Sequence, residues 1–99
     1  MHAIFSVPGI DACFIGPNDL CASMGLLPSL EPPHREFDEA IRTILAAARR
    51  HGVAPGIHHA TAATASRRIA GGWRLVGCGR DIAYVTAGAQ AAHEALRTG

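Results

Sequence analysis

The residues best suited to chemistry in this 99-residue chain stand together in Cys13-Phe14-Ile15-Gly16-Pro17-Asn18-Asp19-Leu20. A short apolar run delivers its carboxyl end into a Gly-Pro turn, and a carboxylate stands at the start of the next segment. In parallel α/β folds, ligands bind at that end of a strand. Asp19 offers the oxygen ligand that a hard divalent cation takes, and the N–H groups of Asn18 and Asp19 can hold a substrate carboxylate. A plainer reading has Asp19 capping the short helix after the turn. Pro-Asn-Asp is ordinary turn chemistry, so the residues taken alone favour the cap.

Other candidates are weaker. His58 and His59 are adjacent on a predicted strand and point to opposite faces, so they cannot easily chelate one metal. His59 is assigned a packing or solvent role. His2, His34, His51 and His93 lie near termini or helix ends and receive no catalytic weight. Gly77-x-Gly79-Arg80 has the look of a phosphate loop, but a lone Gly-x-Gly is a weak signal, and a tight strand-to-helix turn capped by Asp81 is the preferred reading. Arg67-Arg68 reads as the solvated face of a helix. All nine basic residues are arginine. Schiff-base chemistry is therefore closed to these residues, and carbonyl chemistry would need a metal or fixed hydrogen-bond donors.

The elements that must position these groups alternate. Residues 12–15, 53–58 and 73–77 are predicted strands, the third apolar enough to be buried on both faces. Residues 35–51 form the clearest helix: Phe37, Ile41, Ile44, Leu45 and Ala48 share a face, acids fill the first turn and bases the last, and Gly52 stops it. A short helical stretch is possible at 20–24, before a Gly- and Pro-rich loop at 25–33. A second helix runs from Thr61 or Thr64 to Ala70, and a final one starts at Asp81. The apolar stripe of that last helix (Ile82, Val85, Ala89, Ala92, Leu96) suits a core, and its narrow spacing leaves subunit packing open. Strand-helix alternation argues a parallel sheet with crossover helices. Either a small open α/β sheet or part of a (β/α)8 barrel of ~250 residues fits. The opening residues 1–7 resemble the end of a helix without its beginning, which favours part of something larger.

Composition sets the outer limits. Hydrophobic residues make up 48% and charged residues 17%, so the chain has the means for a core. A net charge of +1 favours neither nucleic acid nor an anionic membrane. No apolar run approaches the ~18 residues of a membrane span. Cys13, Cys21 and Cys78 lack zinc-knuckle spacing and read as reduced core or near-core residues of a cytoplasmic protein.

The stretch Val7-Pro8-Gly9-Ile10-Asp11-Ala12-Cys13-Phe14-Ile15-Gly16-Pro17-Asn18-Asp19-Leu20, with Met24-Gly25 after it, resembles the signature of the HpcH/HpaI aldolases, the metal-dependent pyruvate aldolases. The likeness continues through Ala54-Pro55-Gly56-Ile57 and Val76-Gly77-Cys78-Gly79-Arg80-Asp81. It implies an α/β fold, the last three βα units of a (β/α)8 barrel, with residues 1–99 as one partial domain. It also implies a reaction: reversible cleavage of a 4-hydroxy-2-oxo acid to pyruvate and an aldehyde. Asp19 maps onto the family's metal ligand for magnesium, manganese or cobalt. Asn18, through its main chain, with Gly16 and Pro17, maps onto the pocket for the pyruvate carboxylate. With the resemblance added, the ligand reading of Asp19 overtakes the cap. His58 falls where the family lines the aldehyde side, commonly with an apolar residue, so acceptor specificity does not carry over. The family's glutamate ligand, histidine base and pyruvate-gripping arginine belong to earlier barrel units, outside these residues, so no catalytic base is assigned here. The implied partners are a small 2-oxo acid and an aldehyde, and a homo-oligomer is expected. The reading from another class is a non-catalytic α/β remnant that docks onto another polypeptide through exposed sheet edges. A complete flavodoxin-like mini-domain is disfavoured, because Gly16-Pro17-Asn18-Asp19 is too acidic for a phosphate loop.

Overall fold

The computed structural model describes residues 2–98. Its elements are α1 (His2–Phe5), α2 (Pro17–Ser23), α3 (Arg35–Arg50), β1 (Gly56–His59), α4 (Ala62–Ala70), β2 (Leu75–Cys78) and α5 (Asp81–Thr98). Strands β1 and β2 pair in parallel, with Gly56 opposite Leu75 and His59 opposite Cys78. Residues 12–15 run parallel along the other edge of β1, touching it at two bridges, Ala12 to Ala54 and Ile15 to Ile57. The Cys13 N–H donates to the Ala54 carbonyl at 2.9 Å, and the Ile15 N–H to that of Gly56 at 2.8 Å. The first predicted strand is thus an interrupted one. Pro55, which has no N–H to give, lies between its two bridges.

The three helices before α5 that lead into the sheet or its loops end in one device. After α3, Gly52 takes φ +69°, its N–H donates to Arg49, and the Val53 N–H reaches back to Ala48. Gly25 after α2 and Gly72 after α4 repeat the pattern, with Leu26 bonding to Cys21 and Trp73 to Arg68. This is the Schellman stop, which satisfies orphan carbonyls and seats an apolar residue just beyond the glycine. Val53 and Trp73 are buried accordingly. The stop also explains why β1 begins at Gly56 rather than at residue 53: the first residues of the predicted strand are spent closing α3.

One face of the sheet is the core. Ile15 and Ile57 meet Phe37, Ile41, Ile44, Ala47 and Ala48 from α3, with Phe5, Cys21, Val53 and Trp73 around them. Burying such a set in contact is the main stabilising contribution, on the order of 1.5–3 kcal/mol per large side chain. The opposite face carries Phe14, Gly56, His58, Leu75 and Gly77 and is open: Phe14 and Leu75 are each about half exposed. β2 is therefore not buried on both faces as its composition predicts. The helix layer covers only one side of it, and no element covers the other. Cys78, predicted near the core, is exposed, whereas Cys21 is fully buried and all three cysteines are free.

α5 departs most from expectation. Ile82, Val85 and Leu96, predicted to enter a core, are exposed, at 66–82% of their surface. Eighteen residues at 1.5 Å each make a helix about 27 Å long, and it projects from the body to give overall extents of 58 × 27 × 21 Å. Among the described residues nothing covers the stripe. No helix is long and apolar enough to cross a membrane among the described residues.

Candidate functional site

Gly16 closes the interrupted strand and caps α2 in an extended conformation, and the fixed φ of Pro17 suits the first helical position. The Gly16 carbonyl accepts the first helical bond, from the Leu20 N–H at 2.9 Å. Asn18 and Asp19 follow as the second and third helical residues. Asp19 does not cap the helix: Gly16 is the cap residue and receives no side-chain hydrogen bond. Instead the carboxylate folds back over Gly16, its Oδ2 3.1 Å from where a Cβ on that glycine would stand. Asp19 is exposed, and its carboxylate has no hydrogen-bond partner among the described residues. The turn and the glycine together leave a free anion at the carboxyl end of the parallel strands.

His58 arrives at the same end. Because Ile15 pairs with Ile57, Gly16 and His58 are the next residues on neighbouring strands, and the His58 N–H donates to the Ile15 carbonyl at 3.3 Å. The pleat turns both away from the core. The His58 ring is half-buried, 6.5 Å from that of Phe14 and tilted at 58° to it. The structure thus brings Gly16, Pro17, Asn18, Asp19 and His58 to one corner of the sheet.

His59 goes the other way, into the helix layer, where it is fully buried. Arg68 Nε donates to its Nε2 at 3.1 Å, which leaves the proton on Nδ1, and that atom has no partner. Burial first, and then the Arg68 guanidinium, lower its pKa from the ordinary 6.5. Arg67-Arg68 is consequently more than a solvated face. Arg67 Nη2 donates to the Thr64 hydroxyl at 3.2 Å, the Thr64 N–H to Thr61 Oγ1 at 3.3 Å, and the Thr64 hydroxyl to the Glu31 carboxylate. Of the two threonines the sequence offered as the start of this helix, Thr61 is the cap. Glu31, 33 residues from Thr64, gave no local sign that it pins the loop onto α4.

Gly77 and Cys78 end β2, and Gly79-Arg80 turn the chain into α5. Gly79 has φ +68°, the Tyr84 hydroxyl donates to the Cys78 carbonyl at 3.2 Å, and the Asp81 carboxylate accepts from the Ile82 N–H at 2.8 Å. A side chain at Gly79 would strike the Tyr84 hydroxyl, so the glycine serves this turn. Among the described residues no three His, Cys, Asp or Glu side chains converge on a point. A lone carboxylate such as that of Asp19 could fill at most one corner of the oxygen-rich shell a hard divalent ion takes.

The family model for HpcH/HpaI aldolase/citrate lyase covers residues 1–87, and the chain belongs to that family. It is 40% identical over 91 residues to 4-hydroxy-2-oxo-heptane-1,7-dioate aldolase of Salmonella paratyphi B, a match covering 92% of this chain and 34% of that one. An HpcH/HpaI aldolase/citrate lyase family protein from Burkholderia cenocepacia superposes with a TM-score of 0.88 at 32% identity, over 97% of this chain and 37% of that one. The HpcH/HpaI aldolase from Desulfitobacterium hafniense gives 0.85 at 25% identity, with the same coverage. The chain spans about a third of the length of the relatives it matches.

Proposed function

We propose that residues 1–99 form the last three βα units of a (β/α)8 aldolase barrel that reversibly cleaves 4-hydroxy-2-oxo acids to pyruvate and an aldehyde. The observation that carries this reading is the Asp19 carboxylate, unpartnered among the described residues and lying over Gly16 at the carboxyl end of the parallel strands. The names of the relatives support the substrate class, and the absence of lysine among these residues agrees with a route that does not use a Schiff base.

Asp19 would offer a carboxylate oxygen to magnesium, manganese or cobalt. Such an ion, when bound, supplies Lewis-acid polarisation of the 2-oxo group. The Asn18 main chain, with the turn of Gly16 and Pro17, would receive the substrate carboxylate, where backbone N–H groups and the start of α2 favour an anion. His58 would face the aldehyde half of the substrate. The proton-transferring base and the remaining ligands would come from earlier units, and assembly as a homo-oligomer fits the apolar stripe left open on α5.

Manganese affinity tests the assignment in a chimera, a full-length relative whose last three units are replaced by this chain. Asp19→Asn should weaken binding by well over ~100-fold, beyond the ~10–100-fold typical of losing a residue that merely supports a ligand. Unchanged affinity would remove Asp19 from the metal site.

A further inference from the structure

The open face of the sheet has a floor made of two glycines. Gly56 and Gly77 lie on neighbouring strands and on the same face, Gly77 directly opposite His58. A Cβ on Gly77 would stand 2.6 Å from His58 Nδ1 and 3.3 Å from Phe14 Cζ. A Cβ on Gly56 would stand 2.9 Å from Phe14 Cδ2 and 2.6 Å from the Cys13 carbonyl oxygen. The Phe14 ring therefore lies flat across β1 towards β2, and the His58 imidazole lies over β2 at its edge. Neither position is open to these rings if the floor carries side chains. The imidazole has no hydrogen-bond partner among the described residues, although a neutral imidazole offers one donor and one acceptor. A half-buried, aromatic-flanked imidazole with no partner among the described residues can hydrogen-bond a group brought to the open face.

We infer that Gly77 and Phe14 are positioning residues that hold His58 across the open face, where its imidazole hydrogen-bonds an aldehyde whose tail carries hydroxyl or carboxylate oxygen. This rests on the reading of His58 as the aldehyde-side residue. Gly77 acts by clearance and Phe14 by walling the ring on its other side. An apolar side chain in place of His58 would accept an unsubstituted aldehyde equally well and would leave an oxygenated tail unpaired. Discrimination by hydrogen bonding of that kind is stronger than discrimination by fit.

The positioning is measured without catalysis, by diethylpyrocarbonate modification of the 99-residue chain, read per histidine by fragmentation mass spectrometry. N-acetylhistidine in the same solution sets the unprotected rate, the chain is diluted until it no longer associates, and buried His59 reports that the fold is intact. His58 should react several-fold more slowly than the free reference. Gly77→Ala should push the ring off the sheet and bring its rate close to that reference, and Phe14→Leu should raise it partway, with His59 protected throughout. If Gly77→Ala also exposes His59, the fold has opened, and Phe14→Leu, which adds no atoms to the sheet, decides the question. An unchanged His58 rate in Phe14→Leu, or in a folded Gly77→Ala, overturns the positioning. Acceptor preference is then compared in the chimera with glycolaldehyde, succinic semialdehyde and propanal. His58→Leu should lower the preference for one or both oxygenated aldehydes over propanal about tenfold, and the aldehyde that loses most identifies the tail. Gly77→Ala and Phe14→Leu should shift it the same way. Should His58→Leu change the ranking while the other two do not, the inference fails and the aldehyde-side reading stands. Should His58→Leu itself leave the ranking unchanged, that reading falls with it.

Discussion

The pleat of β1 sends His58 to the open face and His59 into the helix layer, so one peptide bond separates two different electrostatic settings. His59 is buried with Arg68 donating to it, and a proton on Nε2 would break that bond and set two cations together. The titratable groups around it are Arg68 and Arg67 on α4, Glu31 from the loop before α3 and His58 beside it. Only Glu31 favours the proton. The sign comes from linkage. The folded chain binds this proton more weakly than the unfolded chain, so stability is complete above 6.5 and falls as the pH drops below 6.5 towards the lowered native value. Melting temperature measured from about pH 8 down to about pH 5, the range where histidine titrates, should decline more steeply in the native sequence than in His59→Gln. Equal slopes would show that His59 accepts its proton without cost. Asp19 marks how far local sequence reaches. It was identifiable as a ligand candidate from its turn. Its freedom from capping was not, because it depends on Gly16 serving as the cap and giving the carboxylate room.

Among the elements, the Schellman stops place the strands. Gly52 has φ +69° with nothing within 4 Å of a Cβ, so a substitution there reports on backbone conformation alone. Gly52→Ala should destabilise the chain by about 1 kcal/mol. Gly88, inside the exposed α5 and also free of neighbours, is the converse case, and Gly88→Ala should stabilise by roughly 0.8–1 kcal/mol through helix propensity. Denaturant titration of both variants checks the pair, and a loss at Gly88 would mean that α5 packs on something. The helix over 35–51 and the alternation of elements were legible because they rest on local periodicity. The burial of β2 and α5 was not. Apolar composition states that a face wants cover, and only the placement of the other elements states whether this chain supplies it.

For the molecule as a unit, that missing cover has consequences. Both edges of the three-segment sheet present unpaired backbone groups, one sheet face is open at Phe14 and Leu75, and α5 shows an apolar stripe along its length. Open edges and patches of this kind promote association. The 99-residue chain should therefore sediment as oligomers, and a charged substitution in the stripe, such as Val85→Arg, should shift it towards smaller species. A monomer at tens of micromolar would contradict this.

Catalysis is expected only in a completed barrel, because one carboxylate cannot by itself hold a catalytic divalent ion. The most direct measurement is pyruvate release from a 4-hydroxy-2-oxo acid in the presence of manganese, by the chain alone, by the chimera, and by each with Asp19→Asn. Turnover is expected from the chimera, with near-complete loss in the Asp19→Asn chimera and silence from the chain alone. Near-normal turnover by the Asp19→Asn chimera would contradict the role given to Asp19, as would metal-dependent turnover by the 99-residue chain well above that of its own Asp19→Asn variant.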